Sequence, residues 1–201
     1  MSNIQLLLLA AGGSTRMKEP KQLLSWGGTT LIEHQIRTLL NTHKSLSVVV
    51  GAHTERIMPI IDSLPIKIVH NEYWYDGMGT SIAIGVRKVF EENPDLNGIL
   101  ISLIDQPLLT TAHFNKMLQL FRPGNMEIIV STAEGHWSGA PVLFDKVYVD
   151  ELIKLKGDEG AKIVTNKYKN FVKSVEGGGK LIDVDTPESY QKVLKKFMKK
   201  N

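Results

Sequence analysis

Four short segments hold residue types that could do chemistry. The first is Leu9-Ala10-Ala11-Gly12-Gly13-Ser14-Thr15-Arg16-Met17, with Pro20-Lys21 close behind. Small residues directly after an apolar run let backbone N–H groups approach a polyanion. Arg16 adds a planar fork for phosphate oxygens and Lys21 a point charge. A plain glycine turn with solvated Arg and Lys is the alternative. The second is Leu103-Ile104-Asp105-Gln106-Pro107. A carboxylate at the rim of a sheet can hold a Mg²⁺ that bridges nucleotide phosphates, or it can serve only an Asx-type turn.

The third segment is Asp183-Val184-Asp185-Thr186-Pro187. Alternate residues of an extended chain point the same way, so both carboxylates could face one site and Asp185 could complete a metal shell begun by Asp105. Capping of a following helix explains them equally well. The fourth runs from Asn71 through Trp74 and Gly77 to Ser81. Its glycines allow close approach and a helix N-terminus behind it favours anions, while its aromatics could equally be loop packing.

Other chemistries lack their patterns. No glycine is followed by the Lys-Ser/Thr pair of a Walker loop, and Gly12-Gly13 is all that this loop offers toward a dinucleotide fingerprint. The six histidines show no metal-ligand spacing, and Ser14, Ser81 and Ser138 lie outside any Gly-x-Ser-x-Gly elbow. His136 and Trp137 either line a pocket or pack. The absence of cysteine excludes disulfides, thiolate metal sites and a cysteine nucleophile.

These segments need a scaffold, and the apolar patterning supplies one. Strands are expected at Ile4–Ala10, Leu46–Val50, Ile66–Val69, Gly98–Leu103 and Ile128–Ser131. Helical stripes fall between them, over 31–40, 54–61, from a Thr80 or Ser81 cap through Val89, and from Thr110 or Thr111 to Phe121. This alternation predicts an α/β fold, a mostly parallel sheet flanked by helices. Beyond it, Pro141–Phe144, Phe171–Val175 and Leu181–Val184 look extended, 146–155 and 159–168 look helical, and Thr186-Pro187 opens a last helix. No repeat or composition break divides the chain, so one domain over residues 1–201 is expected. Ligands of such sheets sit at the carboxyl ends of the strands, where the four segments fall.

The net charge of +3 misleads, because residues 192–201 hold five lysines and no acid, leaving −2 on residues 1–191. That lysine-rich stretch reads as a solvated helix end, and no nucleic-acid partner is expected. The apolar run Ile4–Ala11 contains Gln5, is too short to cross a bilayer and follows no Lys or Arg. A buried strand, no membrane partner and a cytoplasmic location are the expectations.

In order, the blocks resemble one family. Leu9-Ala10-Ala11-Gly12-x-Ser14-x-Arg16-Met17 with Lys21-Gln22-Leu23-Leu24 is similar to the signature loop of nucleotidyltransferases of the molybdenum cofactor type. Asn71-x-x-Trp74-x-x-Gly77-Met78-x-x-Ser81, Asp105-Gln106-Pro107, Gly157-Asp158-x-Gly160-Ala161 and Asp183-x-Asp185-Thr186-Pro187 resemble its later blocks. The resemblance spans about residues 4–194. It implies a Rossmann-like, glycosyltransferase-A-like fold and Mg²⁺-dependent transfer of a nucleotidyl group from an NTP, with loss of pyrophosphate. It implies Arg16, Lys21 and Asp105 as catalytic residues. Leu9, Ala10, Ala11, Gly12, Gly13, Asn71, Gly77 and Ser81 would bind nucleotide, Asp105 and Asp185 the metal. His136, Gly139 and Pro141 would lie in the acceptor region. Leu-Ala-Ala-Gly is more similar to the CTP-using branch than to the GTP-using one, which implies molybdopterin as the phosphate acceptor and a molybdoenzyme or its chaperone as protein partner. A sugar or polyol phosphate acceptor, or a non-catalytic nucleotide-binding accessory protein, are the rival readings. The sequence departs from the family pattern at Lys18, where Gly is usual, at Ile104, where a small residue is frequent, and at Ala140, where His is frequent.

Overall fold

A computed structural model of the protein describes residues 2–133 and 136–199, with residues 136–138 described in backbone only. The chain runs β1 (Ile4–Leu9), a short ribbon of β2 (Ser25–Trp26) and β3 (Thr29–Thr30), α1 (Leu31–Leu40), β4 (Leu46–Val50), α2 (Thr54–Ile61), β5 (Lys67–His70) and α3 (Met78–Glu92). It continues through β6 (Gly98–Leu103), α4 (Thr111–Leu120), β7 (Ile128–Ala133), β8 (His136–Asp145), α5 (Val149–Leu152), α6 (Lys162–Lys167), β9 (Val172–Glu176) and α7 (Pro187–Met198).

Seven strands form one sheet in the order β5-β4-β1-β6-β8-β7-β9. All pairings are parallel except those of β8, which runs antiparallel to both β6 and β7. The expected mostly parallel α/β architecture is what the structure has. β1 lies inside the sheet, next to the middle strand β6, with Leu6 beside Leu46 on one side and Leu100 on the other.

The strand period of two splits the core between the faces. Leu6 and Leu8 pack with Ile32, Ile36 and Leu39 of α1 and with Phe114 and Met117 of α4. Leu7 and Leu9 pack with Ile82, Val86 and Val89 of α3 and with Leu152 of α5. Each fully buried Leu of β1 contributes roughly 1.5–3 kcal/mol of burial free energy, which is why its apolar run is continuous rather than alternating. A third cluster joins Trp26, Leu31, Val184 and Val193, seating α7 against the β2–β3 ribbon.

Local signals set several boundaries. Thr30 and Glu33 form a capping box at α1, and Thr186 and Ser189 one at α7, with Pro187 in the first turn. Other boundaries differ from expectation. Helix α3 begins at Met78 with Gly77 as N-cap, because the Thr80 hydroxyl donates back to the carbonyls of Tyr73 and Gly77 instead of capping. Leu181–Val184 joins no ladder; it is tied to the turn after β6 by Val184 N–H donating to the Asp105 carbonyl at 2.8 Å and by Gln106 Nε2 donating to Asp183 Oδ1. The extended segment around Pro141 is the middle of a ten-residue strand, and the helices expected over 146–155 and 159–168 shrink to α5 and α6. The β2–β3 ribbon was not anticipated; its turn is Gly27-Gly28, both at positive φ.

Candidate active site

At the carboxyl end of β1 the chain turns into a loop, residues 10–17. The chain moves outward from β1 to β4 on one side and to β6 on the other, so this is the point where strand order reverses and a crevice opens. A cleft of about 560 Å³ lies there. Its loop wall is Ala11, Gly12, Gly13, Ser14, Arg16 and Lys21 and its carboxylate wall is Ile104, Asp105, Asp183 and Asp185; Trp74, Gly77, Met78 and Ser81 also line it.

The loop wall is built for a ligand with acceptor oxygens. Among the described residues, the backbone N–H groups of Gly12, Gly13 and Ser14 meet no protein acceptor. A Cβ at Gly12 would touch nothing within 4 Å, whereas one at Gly13 would come within 2.9 Å of the Trp74 ring. Gly12 therefore leaves open space and Gly13 lets the indole close in. Ser14 and Lys18 both sit in the left-handed region, at φ of 54° and 63°. Lys18 thus occupies a backbone conformation that favours glycine, is exposed, and does not line the cleft.

Lys21 joins the two walls. Its Nζ donates to Asp185 Oδ1 at 2.8 Å and to Asp105 Oδ2 at 3.3 Å, and Arg16 Nη2 donates to Asp185 Oδ2 at 3.1 Å. Burial pushes the Asp105 carboxyl above the usual carboxylate range; the Lys21 charge opposes this, and Asp183 and Asp185 add to it. Burial also acts upward on Asp185, but the hydrogen bonds and charges of Lys21 and Arg16 outweigh it and hold that carboxyl low. Asp183 accepts from Gln106 Nε2 at 2.9 Å, which ties the two carboxylate segments together. Behind them, the ring Nε2 of His34 lies 3.0 Å from the Pro107 carbonyl.

The donor set fits a hard divalent cation that completes its shell with phosphate and water. Asp105 Oδ1 is buried and takes no hydrogen bond, and an ammonium already sits between Asp105 and Asp185. Among the described residues no group of three or more His, Cys, Asp or Glu could enclose a metal by itself.

The expected site residues do not all converge. Leu9, Ala11, Gly12, Gly13, Arg16, Lys21, Gly77, Ser81, Asp105 and Asp185 line the cleft. Ala10 is wholly buried beneath the loop. Asn71 is buried too and spends its side chain on scaffolding: Nδ2 donates to Thr80 Oγ1 and Ser81 Oγ, and Oδ1 accepts from Tyr73 N–H. Gly139 borders a smaller apolar cavity of about 130 Å³ beside the cleft, lined also by Leu9, Met78 and Leu103. Pro141 is buried in the sheet and lines neither space. His136 is in β8, but its side chain lies outside the described residues. Gln22 and Asp158 also line the cleft; both lie inside the family-like blocks, but neither residue type by itself points to a role there.

The model of the MobA-like NTP transferase domain matches residues 6–171. The chain belongs to this family of nucleotidyltransferases. Curated relatives align almost end to end. It is 28% identical to the nicotine blue oxidoreductase of Paenarthrobacter nicotinovorans, over 94% of this chain and 95% of that one. It is 29% identical to the purine catabolism protein PucB of Bacillus subtilis, over 93% and 94%, and 24% identical to the molybdenum cofactor cytidylyltransferase of Escherichia coli, over 94% and 95%. Among solved structures, Rv0371c of Mycobacterium tuberculosis superposes with a TM-score of 0.83 at 25% identity, covering 96% of this chain and 98% of that one. A manganese complex of Rv0371c is also similar, with a TM-score of 0.79 at 24% identity, covering 96% and 99%. Among the described residues no helix is long and apolar enough to cross a membrane.

Proposed function

We propose that this nucleotidyltransferase is a single-domain cytoplasmic cytidylyltransferase that uses CTP and a divalent cation such as Mg²⁺. It moves CMP onto the phosphate of a small acceptor of the molybdopterin kind and releases pyrophosphate. One observation carries the reading. Unpaired N–H groups at Gly12–Ser14 and two carboxylates, Asp105 and Asp185, line one cleft at the strand-order reversal, with Lys21 between the carboxylates.

In this mechanism the N–H groups of Gly12–Ser14 bind the triphosphate. Arg16 and Lys21 neutralise the charge that grows on the leaving oxygens. An oxygen of the acceptor phosphate attacks the α-phosphorus, the bond to the β-phosphate bridge breaks, and the electron pair leaves with pyrophosphate. The acceptor is already an anion, so no strong general base is required and the protein's part is positioning and charge stabilisation. Asp105 and Asp185 would hold the cation, which would supply positive charge to offset that of the triphosphate. The base preference rests on Leu9-Ala10-Ala11-Gly12, which is more similar to the CTP-using branch of the family than to the GTP-using one. The apolar cavity by Gly139 is the acceptor's nearest shelter.

Calorimetric titration of CTP, GTP, ATP and UTP with Mg²⁺, on the wild type and on Asp105→Asn, tests this reading. CTP should bind best, and the variant should lose the metal-dependent part of that affinity and nearly all pyrophosphate release. Full turnover in Asp105→Asn would remove the mechanism, and preference for another base would remove the CTP assignment.

A further inference from the structure

Gln22 is wholly buried, yet it is a polar side chain between a loop and a charged cluster. Its Nε2 donates to two backbone carbonyls, Ala10 at 2.8 Å and Gly12 at 2.9 Å. Its Oε1 accepts from the Ser14 hydroxyl at 3.3 Å, and the Ser14 oxygen in turn accepts from the Lys21 N–H at 2.9 Å. The network fixes the amide's orientation, since the flipped amide would set its oxygen against two carbonyl oxygens.

Peptide planarity gives this arrangement a consequence. In a trans peptide the C=O and the following N–H point in opposite directions. Drawing the Gly12 carbonyl onto Gln22 turns the Gly13 N–H away from it, and holding the Ala10 carbonyl does the same for the Ala11 N–H. The loop then cannot satisfy these donors on its own buried side. We propose that Gln22 is the positioning residue of the triphosphate loop: its amide pins two loop carbonyls, so that the N–H groups stand ready for phosphate oxygens, and through Ser14 it ties the loop to Lys21.

This inference rests on the nucleotide reading above. It differs from ordinary core packing in what it affects. A packing role would touch stability, whereas a pinning role touches the β- and γ-phosphates selectively. Gln22→Met keeps length and burial but offers no donor. Gln22→Asn keeps an amide that is one methylene short and reaches one carbonyl at most.

The test is titration of CTP and CMP, each with Mg²⁺, into the full chain. Gln22→Met is expected to weaken CTP at least tenfold and CMP less than threefold, and to raise KM for CTP with a smaller change in kcat. Gln22→Asn is expected to fall between the two, threefold to tenfold on CTP, and carries the comparison if Gln22→Met does not fold. CTP affinity as in the wild type, or equal weakening of CTP and CMP, overturns the role of Gln22 alone. A wild-type chain that binds neither nucleotide overturns the nucleotide reading and this inference with it.

Discussion

Replacing Lys21 with Met should destabilise the apo protein and at the same time make it a better binder of a bare divalent cation. Lys21 Nζ lies 2.8 Å from Asp185 and 3.3 Å from Asp105. At an effective dielectric of about 20, each contact is worth roughly 5–6 kcal/mol of Coulomb attraction before desolvation is charged against it. Removing one partner of a fully buried pair costs about 3–5 kcal/mol. Here the side chains are 13%, 20% and 32% exposed for Lys21, Asp105 and Asp185, so solvent screens part of that. A loss of about 2 kcal/mol is expected, and for a chain of this size that lowers Tm by about 4–8 °C. The variant leaves Asp105 and Asp185 facing each other without their ammonium. A manganese(II) ion at a hundred times its Kd should then return about 2.7 kcal/mol. In the wild type the ion must first displace Lys21, so the gain should stay under about 1 kcal/mol. Thermal melting of both proteins with and without manganese, and without nucleotide, reads all four states. A variant that melts like the wild type, or a manganese shift equal in the two, would refute the bridging role.

Three further outcomes follow from other parts of the fold. Gly77→Ala should cost more than about 2 kcal/mol in chemical denaturation, because a Cβ there falls 2.3 Å from the Gly157 carbonyl at a φ of +104°; an unchanged midpoint would mean that the 156–158 loop yields freely. Lys18→Gly should stabilise by about 0.5–1 kcal/mol, since Lys18 holds a left-handed φ of 63°, and a destabilised variant would show that the side chain makes a contact worth more than the strain. His113 is pushed down to about 4, by burial first and by the Lys180 and Lys116 charges next, with Glu176 opposing. It is therefore neutral in the fold while the unfolded chain protonates near 6.5, so its contribution is full above that pH and drains away as pH falls toward 4, by about 2–3 kcal/mol. The stability gap between the wild type and His113→Leu should shrink by that amount between pH 7.5 and 4.5, and a gap that widens would contradict the sign.

The legible parts of this molecule are those that short-range rules govern. Ile4–Leu9 reads as a buried strand because Leu6–Leu9 are apolar on both faces, and Thr186-Pro187 reads as a helix start because cap and ring are local requirements. The phosphate-loop and Asp105 segments were legible as blocks because each follows the end of a strand, β1 and β6. What escaped depends on distant partners. Leu181–Val184 has strand-like residues, but its position is set by Asp105 nearly eighty residues earlier, and among the described residues it pairs with no strand. Asn71 is expected at the nucleotide by the family resemblance alone; its hydrogen bonds to Thr80 and Ser81, which brace the start of α3, depend on the folded chain. Gln22 lies within a motif, but nothing in its type or spacing says that its amide turns back to Ala10 and Gly12.

The interior place of β1 also bears on how the chain is made. Its leucines need cover from β4 and from β6, and the second of these partners ends at Leu103, more than ninety residues after β1 itself. At a synthesis rate of about 5–20 residues per second, that interval is on the order of 5–20 s. For that time the most apolar strand of the protein is outside its sheet while β4 can shield only one of its edges. Conditions that slow translation lengthen this exposure, so the yield of folded protein should depend on elongation rate and holdase supply more than the finished molecule's stability would suggest.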